Sequence, residues 1–91
     1  MAILSEDKII ESLTALDGWK LEGKAIAKVF VKKDFVEAMA FVNKVALLAE
    51  KADHHPDIEI KWNRVRLVLS THSEGGVTEK DIDLARKIDM L

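Results

Sequence analysis

Ninety-one residues, 48% of them hydrophobic, are enough for one domain with a real core. A formal charge of −2 lacks the basic excess expected of a chain whose default partner is nucleic acid. With no cysteine, disulfides and thiolate metal sites are excluded, a composition compatible with the cytosol.

The opening residues, Met1 to Ile10, carry Glu6, Asp7 and Lys8 and lack the apolar run of a signal peptide. No segment approaches the roughly 18 apolar residues of a membrane span. The expectation is a cytoplasmic chain with neither a membrane nor a nucleic-acid partner. A chain this short leaves little room for a closed pocket, so a deep site would draw on a second copy.

Ser5 is placed to cap a first helix running to about Leu16, with Ile9, Ile10, Leu13 and Leu16 as its buried stripe. Asp17-Gly18 ends it. Trp19 to Leu21 reads as a short strand, Glu22-Gly23-Lys24 as a turn, and Ala25 to Val31 as a second strand rich in β-formers. Asp34-Phe35-Val36-Glu37 fits a capping box that opens a long helix to about Lys51. Phe35, Ala38, Met39, Val42, Val45, Ala46 and Ala49 line its face, and Phe41 and Leu48 widen it. Pro56 holds His55 extended, so the helix stops before it.

Strict alternation follows. Ile58, Ile60 and Trp62 face one way and Asp57, Glu59 and Lys61 the other. Trp62-Asn63-Arg64 turns the chain, and Val65, Leu67 and Leu69 continue the pattern against Arg64, Arg66 and Ser70. Val68 breaks the alternation, which implies that the second face is partly covered. After Gly75-Gly76, Thr78-Glu79-Lys80-Asp81 forms a second capping box before a last helix facing inward with Ile82, Leu84, Ala85, Ile88 and Leu91. The order α-β-β-α-β-β-α predicts an α+β two-layer sandwich, a four-stranded antiparallel sheet with helices on one face.

All three histidines fall between positions 54 and 72, and two of them directly precede the only proline. Clustered imidazoles point to proton transfer or to a metal. His54 lies just past the negative end of the long helix. Glu50, four residues earlier, and adjacent Asp53 favour its protonated form, which suits it to protonate a leaving group. A plain helix C-cap would use the same residue. His55 is extended, and neighbouring side chains in extended backbone diverge, so the pair divides into different roles and is badly placed to chelate one ion. His72 closes the last strand before a loop, a common location for site residues. Asp81 serves the capping box and can also reach a neighbour. Trp19 and Trp62 suit the core, or the wall of a pocket for a flat heterocycle. No Gly-rich phosphate loop and no Ser or Cys nucleophile motif is present.

Together these residues read Glu50-x3-His54-His55-Pro56-x5-Trp62-x9-His72-x8-Asp81. This pattern resembles the signature of the pterin-4a-carbinolamine dehydratases. The run Thr71 to Thr78, the residues Leu84, Ala85 and Ile88-Asp89, Gly18-Trp19, and Asp34-Phe35 with Ala38-Met39 and Phe41-Val42 are also similar to that family, so the likeness spans residues 1–91 as one domain. The resemblance implies removal of water from a 4a-hydroxytetrahydropterin, giving a quinonoid dihydropterin, with neither metal nor organic cofactor, in a homodimer or homotetramer. It implies His54 as a main acid–base residue, His72 as the second, and His55 as a binding or orienting group. Glu50 and Asp53 would tune His54, and Asp81 would orient an imidazole or hold the pterin. Thr71, Ser73 and Glu74 would meet the pterin amide edge beside the Pro56 turn, and Trp19 would pack at the site.

Three rivals compete with this reading. A dimerisation cofactor for a transcription factor would use surfaces that the sequence does not reveal. A nucleic-acid-binding saddle is disfavoured by the charge. A mononuclear metal site would draw on the three histidines and Asp81.

Overall fold

Ser5 caps the first helix as expected, its hydroxyl accepting from the Lys8 amide at 3.2 Å. The computed structural model describes residues 2–91. Its elements are α1 (Glu6–Leu13), β1 (Lys20–Glu22), β2 (Ala25–Val31), α2 (Phe35–Ala52), β3 (Asp57–Lys61), β4 (Arg64–Leu69) and α3 (Glu79–Asp89). The sheet is antiparallel throughout, in the order β1-β2-β4-β3. The predicted α+β order is therefore the observed one.

α1 is shorter than its pattern suggests. It ends at Leu13, and the chain continues in tight turns, with the Leu16 amide donating to Leu13 and the Trp19 amide to Leu16. Ile9 and Leu16 are buried, but Ile10 is half exposed, because one helical step rotates a side chain by roughly 100° off the buried face. Gly18 then takes a φ of 83°, and a β-carbon there would meet the Lys28 side chain at 3.1 Å.

Asp34 caps α2 by accepting from the Glu37 amide at 2.8 Å. The expected box is one-sided, since the Glu37 carboxylate accepts from the Lys33 amide at 3.1 Å rather than from Asp34. Ala38, Phe41, Val45 and Ala49 form the buried stripe, with Val42 and Leu48 packed beside it. Phe35 and Ala46, expected on this face, are exposed. The stripe is centred on Phe41 and Val45, and both of those residues lie on its far flank.

Register decides which strand side chains enter the core. Ile26 opposite Leu69 and Phe30 opposite Val65 stand on the helix-covered face, where Val65, Leu67 and Leu69 are fully buried. α1, α2 and α3 all contribute buried residues to this same core. The other face carries no helix. There Arg66 of β4 reaches across β2 to Glu22 of β1, with two hydrogen bonds of 2.8 and 3.2 Å. This pair helps cover the open face, as the break at Val68 implied. The guanidinium holds the Glu22 carboxyl below its ordinary range, and Glu22 in turn raises Arg66.

β3 is an edge strand. Ile58 and Ile60 point to the core side opposite Leu67 and Val65, yet Ile58 stays 38% exposed because the helices do not extend over it. Trp62 does not continue that row. It sits in the hairpin loop with a φ of 53° and its side chain 68% exposed.

Two outcomes follow from this packing. Leu67→Ala removes a fully buried side chain from the centre of the sheet and should cost about 2–5 kcal/mol, lowering the melting midpoint well beyond experimental scatter. The Glu22 carboxyl is depressed in the folded protein, so its contribution is present above its unfolded value and lost as pH falls through the folded one. Melting of Glu22→Gln against the parent should therefore show a small, salt-sensitive deficit at neutral pH that closes in acid.

Candidate active site

Three elements end at one place. α2 stops where Asp53 enters the left-handed region, with φ 50° and ψ 43°, and the His54 amide donates back to the Ala49 carbonyl at 3.0 Å. Aspartate tolerates this conformation better than most non-glycine residues. The reversal turns His54 inward. β4 ends at Leu69 and runs into a tight loop, in which the Thr71 and Gly76 backbones pair and Gly75 has a φ of 76°. That loop delivers Thr78 to the start of α3, where the expected capping box forms with Asp81.

Asp81 is completely buried. One carboxylate oxygen, Oδ1, lies 2.5 Å from His54 Nε2. The other, Oδ2, accepts from the Thr71 hydroxyl at 2.8 Å and from the Thr78 amide at 2.9 Å. A buried carboxylate is tolerable only when so satisfied. His54 itself is nearly buried, its side chain 11% exposed.

His55 departs to the surface, and its Nε2 pairs with Glu50 Oε2. This corrects the expectation that Glu50 tunes His54. The extended geometry before Pro56 sends the two imidazoles to different sides, so the helix-borne carboxylate meets the second histidine and the partner of the first comes from α3.

Asp53, His54, His55, Thr71, His72 and Ser73 line one open cleft of about 280 Å³. That is near the small end of ligand sites, roughly 300–1,000 Å³. Ser70 and Lys80 also line it. Neither carried a motif, and only the fold places them there. Lys80 additionally borders a second cleft of about 230 Å³ on the other flank of His54, beside Asp83 and Lys87.

Not every expected residue gathers here. Trp19 is a core residue whose Nε1 donates to Asp89 at 3.0 Å, at the opposite end of α3 from Asp81. Its ring packs edge-on to Phe30. It is buried through the turn after α1, far along the helix from the histidines. Glu74 is exposed on the loop and Pro56 is half-buried beside His55, and neither lines the cleft. Among the described residues, no three His, Cys, Asp or Glu side chains converge as a metal site. An apolar cleft of about 320 Å³ lies elsewhere, among Ile3, Leu4, Ile9, Leu21 and Val77, without any imidazole. Among the described residues, no helix is long and apolar enough to cross a membrane.

Chemically, the histidine cleft offers one imidazole anchored from below, one held by a surface carboxylate, and one exposed on a loop. Such an array can add and remove protons on a small molecule held in the cleft.

The family model described as pterin 4 alpha carbinolamine dehydratase matches residues 2–91. A relative from Acidobacterium capsulatum, provisionally named a pterin-4-alpha-carbinolamine dehydratase, is 56% identical over 100% of this chain and 99% of its own. Another of the same provisional name, from Thermomicrobium roseum, is 54% identical over 97% of this chain and 95% of its own. A crystal structure from Brucella melitensis, described as a transcriptional coactivator/pterin dehydratase, superposes with a TM-score of 0.92 at 49% identity, covering 97% of this chain and 96% of that one. With its full described length matched and a buried aspartate anchoring the first histidine of its His-His-Pro run, the chain belongs to the pterin 4 alpha carbinolamine dehydratase family.

Proposed function

We propose that this chain is a cytoplasmic acid–base dehydratase that removes water from a 4a-hydroxytetrahydropterin, giving a quinonoid dihydropterin for reuse. The observation that carries the reading is the shared cleft of His54, His55 and His72, with Asp81 buried beneath His54.

In the proposed reaction the C4a–O bond breaks, the departing oxygen takes a proton and leaves as water, and N5 gives up its own proton as the N5–C4a double bond forms. His54 and His72 are the two proton-transfer groups. His54 is fixed by Asp81, and His72 stands on the loop across the cleft. His55, restrained by Glu50, binds or orients the ring. Asp53 and Ser73 are placed to contact the polar edge of a pterin in the same cleft, which Thr71, its hydroxyl bound to Asp81, also lines. The steps need only proton transfer, so the proposal includes neither metal nor organic cofactor. Each positioned acid–base group contributes roughly 100- to 10,000-fold.

The test is stopped-flow absorbance with chemically generated 4a-hydroxytetrahydropterin. Wild-type protein should accelerate dehydration well above the spontaneous rate. His54→Ala and His72→Ala should each lose roughly 100-fold or more while circular dichroism shows the fold retained. No acceleration by wild-type protein would refute the proposal.

A second reading concerns protein contacts. Val36 is 78% and Leu47 73% exposed on α2, and Phe35 beside them is 51% exposed, an apolar face of the kind that marks association. We infer a homodimer or homotetramer that uses this face, and the Brucella protein, described as a transcriptional coactivator as well as a pterin dehydratase, supports a coactivator role at the same surface as the alternative. Leu47→Glu should lower the mass measured by light scattering without altering the far-ultraviolet spectrum. An unchanged mass would remove this face from the assembly.

A further inference from the structure

Thr71, Thr78, Asp81 and His54 form a continuous hydrogen-bonded series, and the chemistry of its members settles its direction. Thr71 has one hydroxyl proton and two close oxygen neighbours, Asp81 Oδ2 at 2.8 Å and Thr78 Oγ1 at 2.8 Å. A carboxylate only accepts, so Thr71 donates to Asp81. Thr78 must then donate its own proton to Thr71. Thr78 Oγ1 remains free to accept, and the Lys80 amide lies 3.3 Å from it.

Every proton up to Asp81 is thereby committed. Oδ2 takes the Thr71 hydroxyl and the Thr78 amide, and Oδ1 is left for His54. Because Oδ1 has no proton to give, His54 Nε2 must carry one. The second ring nitrogen, Nδ1, has no hydrogen-bond partner in the protein, yet the structure contains no buried, unpartnered side-chain nitrogen or oxygen among the described residues. Nδ1 of this nearly buried ring therefore opens to solvent.

We infer that Thr71 is a positioning residue, which through Asp81 holds His54 in the Nε2-protonated tautomer and makes Nδ1 the atom that exchanges protons with substrate. The inference deepens the proposed dehydration and rests on that reading. The Thr78→Thr71 donation gives the hydroxyl series one sense, and burial of Thr71, Thr78 and Asp81 keeps water from offering an alternative partner. The general consequence of losing tautomer control is a fall in turnover, not in affinity.

The experiment pairs two readouts. Long-range proton–nitrogen NMR of 15N-labelled protein, with His54 assigned by its absence in His54→Gln, reports which ring nitrogen carries the proton in the neutral state. Stopped-flow dehydration of 4a-hydroxytetrahydropterin reports kcat and KM. Wild type should show neutral His54 protonated on Nε2. Thr71→Val keeps the shape but removes the hydroxyl, and it should populate both tautomers and lower kcat by roughly 10-fold with little change in KM. Thr71→Ser should restore both.

A wild-type His54 protonated on Nδ1 would overturn the inference whatever the activity, and that measurement stands even if Thr71→Val does not fold. A folded Thr71→Val with wild-type tautomer and kcat would also overturn it. Absence of catalysis by wild type, with the Nε2 tautomer present, would sink the dehydratase reading and leave the tautomer assignment standing.

Discussion

The buried carboxylate of Asp81 is the junction at which three elements of this structure meet. It accepts from the start of α3 through the Thr78 amide, from the end of β4 through the Thr71 hydroxyl, and from the turn after α2 through His54. A charge taken out of water is costly unless several donors replace the solvent, and here they come from three separate elements. The capping box that starts a helix is thus also the support for an imidazole. Local structure and site geometry are set by one residue, and neither can be altered without the other.

The adjacent histidines acquire different environments for reasons that lie in the backbone. Asp53 in the left-handed region reverses the chain at the end of α2. Pro56 then keeps His55 extended. Between these two constraints, His54 is driven under α3 toward a buried partner while His55 swings out to Glu50 on the helix surface. One imidazole becomes nearly dry, and the other stays exposed beside the carboxylate that holds it. Such a split suits a proton-transfer group beside a binding group.

A 91-residue chain does not cover all its apolar surface. Three helices shield one face of the sheet and leave its other face, the β3 edge, and the outer side of α2 in the open. The Arg66–Glu22 pair partly closes the uncovered face across β2. Val36 and Leu47 have no such cover. Surface of this kind is where further protein contacts are to be sought.

Local patterns are enough for the order of elements, the β2 boundaries, the β3–β4 hairpin and all three helix N-caps, because these depend on neighbours a few residues apart. They misplace Ile10, Phe35 and Ala46, since the width of a buried stripe depends on what packs against it. Trp62 was placed in a strand row that ends one residue earlier. Within the site, His54, His55, His72 and Asp81 are legible as one pattern from the chain alone, because their spacing is a property of the sequence. Which side chain pairs with which emerges in three dimensions. Glu50 meets His55 rather than His54, Trp19 is held at the far end of α3 by Asp89, and Lys80 enters the cleft unannounced. The Trp19–Asp89 contact and the entry of Lys80 join residues tens of positions apart and are set by helix packing, while the short-range Glu50–His55 pair follows from the direction of one left-handed residue, which no local pattern encodes.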